Sequence, residues 1–135
     1  MRVEKTYRID DYADIDGMVR KILACLNDEN ATSQALRDYF GKAENITDLI
    51  RPIPFSSERK FSGAVYENET LLMGAIEFLF PDSEEKIKQI ISTYTTNGMR
   101  VITLARSSQQ MEGYQIPSDL KPIALIAISD CIRSN

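Results

Sequence analysis

The stretch FSGAVYENETLLMG, residues 61–74, has the pattern of a β-hairpin. Two apolar runs flank polar residues 67–69, which are of the kind that form the turn between antiparallel strands. On the N-terminal side, Pro52 and Pro54 place residues 50–55 at a sheet edge or in an extended loop, because proline has no N–H to donate to a neighbouring strand. This region therefore predicts an antiparallel sheet that has an edge, or a loop, just before the hairpin.

The chain after the hairpin alternates between helix and strand patterns. A helix pattern runs from a possible cap at Asp82 to a stop at Gly98. Its inner face would be formed by Ile87, Ile90, Ile91 and Tyr94. A strand is predicted at residues 100–105, and the apolar run at 123–129 is typical of a central strand covered on both faces. The polar loop between these strands, residues 107–122, is predicted to be mobile.

Two helix patterns precede the hairpin, after an opening strand at residues 3–9. In the first, apolar residues from Ile15 onward recur at the i, i+3, i+4, i+7 spacing of one buried stripe. The second would begin at an N-cap on Thr32 or Ser33 and stop at Gly41. Its buried face would be formed by Ala35, Leu36, Tyr39 and Phe40. The two helices are predicted to pack as an αα-hairpin.

These elements predict a single domain over residues 1–135 with an α/β (α+β) fold. The sheet is expected to be mainly antiparallel and flanked by helices, because helices are interleaved with hairpins rather than with single parallel strands. With 43% hydrophobic and 27% charged residues, the chain has enough apolar side chains for one core.

Composition excludes several classes of function. The absence of histidine excludes imidazole acid–base catalysis, a serine–histidine triad and most zinc sites. Cys25 and Cys131 form no CxxC pattern and suggest no disulfide framework. A net charge of −4 argues against a nucleic-acid partner, which needs clustered Lys and Arg. No apolar run approaches the roughly 20 residues of a membrane helix, so the piece itself is expected to be soluble and cytosolic.

Two short segments, residues 55–60 and 73–77, differ from plain core or plain surface. Phe55 stands five residues before Lys60 in a stretch stiffened by prolines. Gly74 ends a strand where a backbone or a ligand can come close, and Arg100 starts another strand. Each also has a purely structural interpretation: Phe55 as a half-buried ring at the sheet edge, and Arg59 with Lys60 as a solvated pair. The residues by themselves leave both interpretations open.

In order and spacing, four segments of the chain resemble the nucleotide-binding (N) domain of P-type cation-transporting ATPases. The family's phenylalanine-to-lysine adenine motif is matched by PFSSERKFSG at 54–63, and its KGAPE segment by MGAIEFLF at 73–80. Its GxRxLxxA strand is matched by GMRVITLA at 98–105. Its return strand and DxxR-type hinge are matched by PIALIAISDCIR at 122–133. The resemblance covers nearly the whole chain and implies ATP as the ligand.

The resemblance implies a role for each matching residue. Phe55 would stack on the adenine base. Lys60 and Arg100 would lie near the phosphates. Gly74 and Ala75 would form the floor of the pocket, where a larger side chain would displace the base or the ribose.

The resemblance also assigns Ser57, in the adenine motif, to ATP binding. Three other positions differ from the family. Met73 replaces the lysine of KGAPE, and Ile76 replaces its proline. Ser33 lies in NATSQAL, which resembles the family's EATETAL-like stretch, where a carboxylate meets the adenine amino group. Weaker binding is therefore expected, and discrimination of adenine from guanine stays open.

The chain contains no DKTGT, TGD or GDGxND motif, so the resemblance implies a domain cut from a larger membrane pump. Its expected partners are ATP and the phosphorylation and actuator domains of that pump, with Mg²⁺ bound mainly by the phosphorylation domain. The expected location is a cytoplasmic domain of an integral membrane protein, without direct membrane contact. Lacking the His-Pro signature of heavy-metal pumps, the chain fits a calcium- or magnesium-type pump better. The alternative is an interaction or regulatory module that kept the fold but lost nucleotide binding.

Overall fold

The computed structural model describes residues 2–25, 31–41, 48–56, 58–82 and 84–129. These residues form six strands and four helices, in the order β1 (Arg2–Arg8), α1 (Ile15–Cys25), α2 (Ala31–Phe40), β2 (Leu49–Ile53), β3 (Phe61–Tyr66), β4 (Glu69–Gly74), α3 (Ile76–Leu79), α4 (Glu85–Thr96), β5 (Met99–Ser107) and β6 (Lys121–Ser129). The strands make one sheet in the order β1-β6-β5-β4-β3-β2, and each neighbouring pair is antiparallel. The predicted fold class is confirmed.

Strands β3 and β4 form the hairpin predicted for residues 61–74. Its register pairs Tyr66 with Glu69 and Phe61 with Gly74, so the turn contains residues 67 and 68, and Glu69 belongs to the strand. Among the described strands β2 pairs with β3 alone and forms an edge, as Pro52 within it predicts. The apolar β6 lies between β1 and β5, as its unbroken apolar run predicts.

Side chains pack on both faces of the sheet. On one face α1 buries Ile15, Val19, Ile22 and Leu23 in a helix-side cluster that also receives side chains of α2. The stripe predicted for α1 is therefore the stripe that is buried. On the other face a second cluster contains Phe61, Leu72 and Leu79, together with Met111 from the loop after β5. Removing the apolar surface of each such side chain from water stabilises the fold by about 1.5–3 kcal/mol.

Helix α2 differs from the prediction at its start and on one flank. It begins at Ala31, so Thr32 and Ser33 lie inside the helix and neither is its N-cap. The helix-side cluster includes Ala35, Leu36 and Phe40 as predicted. Tyr39 was also predicted to be buried but is 56% exposed, and its ring packs edge-on against Phe40 at a centroid distance of 4.8 Å. Gly41, with φ of +87°, ends the helix as predicted.

Helix α4 follows its predicted stripe but begins later than predicted. Its N-cap is Glu84 rather than Asp82, and Gly98 follows the C-cap residue with φ of +82°. The predicted inner face is turned toward β5 but is only half-buried, and it consists of Ile87, Ile90, Ile91 and Tyr94. Among the described residues no helix is long and apolar enough to cross a bilayer.

An ion-pair cluster ties α1 to the sheet at the hairpin end. The Glu69 carboxylate accepts hydrogen bonds from Arg106 Nε at 2.7 Å and Lys21 Nζ at 3.0 Å. Partial burial opposes the charge on Glu69, but these two hydrogen bonds and their positive charges outweigh burial and lower its pKa. The Tyr66 hydroxyl donates to the Lys21 carbonyl oxygen at 2.8 Å, which adds a second link between helix and hairpin.

The loop between β5 and β6 is held by specific contacts, although its polar composition predicted a mobile segment. The hydroxyls of Ser107 and Ser108 donate to the Asp119 carboxylate, and these bonds lower the Asp119 pKa. The Met111 N–H donates to the Thr70 hydroxyl at 2.9 Å, and the Met111 side chain is buried. These partners come from β4 and from the far end of the loop, which composition does not reveal.

Candidate functional site

A cleft of about 460 Å³ opens where α1 and α2 meet one end of the sheet. At that end β4 and β6 finish while β3 and β5 begin, because neighbouring strands are antiparallel. The cleft is lined by Leu23, Thr32, Ser33, Leu36, Phe55, Lys60, Ser62, Met73, Gly74, Ala75, Arg100, Val101, Ile102 and Ile128. Seven of the eight residues predicted for the site are in this set. The eighth, Ser57, lies outside the described residues.

Phe55 and Lys60 lie in the segment that joins β2 to β3. The Phe55 ring is 53% exposed and lines the same cleft as Gly74, so it is neither core nor on the opposite face. The N–H groups of Arg59 and Lys60 both donate to the Ser56 carbonyl oxygen, at 3.1 and 2.7 Å, and make a tight turn. Lys60 has φ of +62°, a left-handed conformation that non-glycine residues seldom adopt. The turn therefore holds Lys60 in a conformation that an extended chain would not have.

The end of β4 is attached to this turn. The Ala75 N–H donates to the Lys60 carbonyl oxygen at 3.1 Å. A Cβ built on Gly74 would stand 2.5 Å from that same oxygen and 2.5 Å from Phe61 Cβ. Gly74 and Ala75 both line the cleft. Of the two close approaches that the sequence left open at Gly74, a backbone or a ligand, the structure shows the backbone, at Lys60 and Phe61.

Met73 and Ser33 form parts of the cleft wall that are largely buried. Met73 is 5% exposed and belongs to the helix-side cluster, so its thioether replaces a charge with apolar surface. Ser33 is 8% exposed within α2. Arg100 is exposed at the start of β5, in register with Ile128. The cleft thus has an apolar interior, with Arg100 and the Lys60 turn carrying its positive charge.

The chemistry of the lining fits a flat apolar ring that carries an anionic group. Lys60 and Arg100 are its two cations, and no carboxylate is present among the described lining residues. Most of the other lining side chains are apolar, and a few hydroxyls stand among them, as is usual for sites that bind small organic ligands. Within the described ranges no three Cys, Asp or Glu side chains are grouped to hold a metal ion. Binding of Mg²⁺ by a neighbouring domain stays a prediction.

Several lining residues were missed by the sequence argument. Ser62 stands opposite Met73 because the turn has two residues, whereas the turn predicted at residues 67–69 would place Ser62 opposite Gly74. Thr32 adjoins a predicted site residue but was treated only as a possible cap. The apolar wall is contributed by Leu23, Leu36, Val101, Ile102 and Ile128. These five residues carry no local signal, since their grouping depends on how the helices pack on the sheet.

A six-stranded antiparallel sheet with these flanking helices is the architecture of the N-domain of P-type ATPases. The solved N-domain of HMA8, a copper-transporting P-type ATPase, matches with a TM-score of 0.58 and 9% identity over 96% of this chain and 100% of that one. The N-domain of HMA6, also a copper-transporting P-type ATPase, matches with a TM-score of 0.53 and 9% identity over 93% and 95%. No family model matches the sequence. No curated protein matches it either. The resemblance found in the sequence is confirmed at the level of the fold.

Proposed function

We propose that this chain is the ATP-binding domain of a P-type ATPase that couples ATP hydrolysis to cation transport. The observation that carries the proposal is the cleft itself. Residues assigned to ATP from four separate segments, among them Ser33, Phe55, Gly74 and Arg100, line one cleft. Its volume of about 460 Å³ falls within the range of small-molecule sites, roughly 300–1,000 Å³.

In this proposal each part of the cleft has a physical task. The exposed Phe55 ring stacks on the adenine, and the apolar walls shield the faces of the base from water. Lys60 and Arg100 orient the phosphates, and the fixed charge of the guanidinium suits that task. The γ-phosphate is delivered to an aspartate on the phosphorylation domain of the same pump. The contribution of this chain is therefore proximity and orientation, without acid–base chemistry.

The rest of the pump is part of the same proposal. The phosphorylation and actuator domains would be its partners, Mg²⁺ would be bound mainly by the phosphorylation domain, and the domain would lie on the cytoplasmic side of an integral membrane protein. The fold supports this context, because both solved structures above are N-domains of such pumps. Copper is the transported ion of those two proteins. For this chain a calcium- or magnesium-type pump stays the prediction.

One observation favours a second candidate, an interaction or regulatory module without nucleotide. Met73 is packed in the core at the position where the KGAPE motif of the family has lysine. A cleft that lacks this cation holds phosphates less strongly. The two candidates differ in whether the cleft binds nucleotide at all.

Titration of ATP, ADP and GTP into the ¹⁵N-labelled chain separates them. ATP should give saturable amide shifts around the cleft, and Phe55→Ala should weaken binding roughly 5- to 150-fold, since stacking on a base contributes about 1–3 kcal/mol. Phe78→Ala is the matched control, because Phe78 is 46% exposed but does not line the cleft. Absence of saturable shifts near Phe55, or equal losses in both variants, would contradict the proposal.

A further inference from the structure

Phe55 and Lys60 lie in the segment between the end of β2 and the start of β3. The described residues of this segment, 54–56 and 58–60, belong to no helix or strand. Its Lys60 end is attached to the sheet through the Ala75 N–H. Phe55 is half-exposed, so core packing alone does not fix its ring. Another contact has to define where the Phe55 end stands over the cleft.

Arg59 supplies that contact. Its Nη2 donates to the carbonyl oxygen of Pro54, the residue before Phe55, at 2.8 Å. Its guanidinium carbon lies 3.8 Å from the centroid of the Tyr114 ring, a cation–π distance. Its Nε is buried without a hydrogen-bond partner among the described residues. The position of the guanidinium is thus determined by the ring and by the Pro54 carbonyl, in contrast to the solvated pair that the sequence suggested.

Tyr114 is itself held by β2. Arg51 Nη2 donates to the carbonyl oxygens of Met111 at 3.1 Å and Gly113 at 2.5 Å, which fixes the loop just before Tyr114. The Arg51 guanidinium carbon lies 5.8 Å from the centroid of the same ring. Tyr114 is 52% exposed and does not line the cleft. A continuous set of contacts therefore runs from β2 through the β5–β6 loop to Phe55.

We propose that Arg59 and Tyr114 are positioning residues, which hold the Phe55–Lys60 segment over the cleft without touching the ligand. The inference rests on the proposed nucleotide binding and deepens it, because the affinity of the cleft would then depend on a loop residue outside it. A cation–π contact at a partly exposed site implies an effect of about 2- to 5-fold on binding.

The chain contains no tryptophan, so Phe55→Trp introduces a single indole reporter at the platform. In that background, Tyr114→Leu should weaken ATP binding roughly 2- to 5-fold and lower the emission anisotropy of the indole without nucleotide. Tyr114→Phe should restore both values, because it keeps the ring face and removes only the hydroxyl. Tyr12→Leu is the matched control, since the Tyr12 side chain is 99% exposed, and it should change neither value.

Arg59→Gln is the second arm of the test. It should weaken binding and lower the anisotropy at least as much as Tyr114→Leu, because it removes the hydrogen bond to Pro54 together with the ring contact. The double variant should lose no more than Arg59→Gln alone, since the ring contact is already absent there. The amide shifts of the sheet report whether each variant is folded. If Tyr114→Leu does not fold, the test rests on Arg59→Gln. Parent-like anisotropy and affinity in Arg59→Gln, or failure of Tyr114→Phe to restore them, would overturn the inference. If the parent binds no ATP, the proposed function fails, whereas the anisotropy without nucleotide still decides the positioning role.

Discussion

Replacing Gly74 with alanine tests why the end of β4 carries no side chain. The added Cβ would stand 2.5 Å from the Lys60 carbonyl oxygen, 2.5 Å from Phe61 Cβ and 2.7 Å from Phe61 Cα. Carbon contacts are normally about 3.5–4.0 Å, and the crowded atoms are the Lys60 carbonyl oxygen and the Cα and Cβ of Phe61, which cannot rotate away. Overpacking of this kind costs about 1–3 kcal/mol. With an unfolding entropy of about 2.1 cal/mol/K for each of 135 residues, the Tm should fall by roughly 4–11 °C.

The assay is thermal unfolding followed by circular dichroism without nucleotide. Gly17→Ala is the matched control, because its Cβ would meet the Asp14 side chain, with Oδ2 nearest at 2.2 Å, and that side chain can rotate away. Alanine is also the better helix former by about 1 kcal/mol, which offsets the loss of the Asp14 hydrogen bond to the Gly17 N–H. The Tm of Gly17→Ala should therefore stay within about 4 °C of the parent. If Gly74→Ala had the Tm of the parent but bound ATP more weakly, contact with Lys60 and Phe61 would not be the reason for glycine at this position.

Two further substitutions probe the turn and the ion-pair cluster. Lys60→Gly should raise the free energy of unfolding by up to about 1 kcal/mol, by relieving the positive φ, and should lower ATP affinity roughly 2- to 5-fold in the same titration. Asp48→Gly is the control: because Asp48 has φ of +66°, this change should also raise the free energy of unfolding, but it should leave ATP affinity unchanged. If Lys60→Gly bound ATP as tightly as the parent, Lys60 would have no part in ATP binding. The pKa of Glu69 is lowered by folding, so its contribution is present above its usual value of 4.5 and is lost as pH falls through the folded pKa. Glu69→Gln should therefore reduce stability at pH 7 by about 1 kcal/mol and flatten the acid limb of the Tm–pH curve, and an unchanged acid limb would contradict this assignment.

The elements that sequence predicted well are those whose signal is local. The stripe of α1, the turn between β3 and β4 and the apolar run of β6 each follow from spacing within one segment. The errors occurred where distant residues decide. Tyr39 fits the buried stripe of α2 by spacing, yet the sheet beneath the helix leaves it exposed. The Arg51 hydrogen bond to Met111 joins residues 60 positions apart, so composition could not show that the loop is held.

The candidate site divides in the same way. The motif resemblance selected Phe55, Gly74 and Arg100, which all line the cleft, because each stands at a fixed place in a matched segment. It could not identify Leu23, which belongs to no matched segment, or Ile128, whose matched segment carried no predicted site role. Both reach the cleft through helix packing and sheet order. At 9% identity the fold persists because burial pattern and register, rather than particular side chains, specify the sheet.

Methionine at position 73, where the KGAPE segment that the chain resembles has lysine, affects the cleft through its packing as well as through its lack of charge. Met73 is 5% exposed and packs with side chains of α1 and α2, so the exchange extends the apolar wall toward Phe55. Under the proposed function, more of the binding free energy then comes from the base and less from the phosphates, for which only Lys60 and Arg100 supply positive charge in the described lining. Both cations have long side chains at exposed positions, which under the proposed function would let them follow the phosphates toward the phosphorylation domain. On that proposal the site would fix the base and leave the γ-phosphate to be positioned by the domain that accepts it.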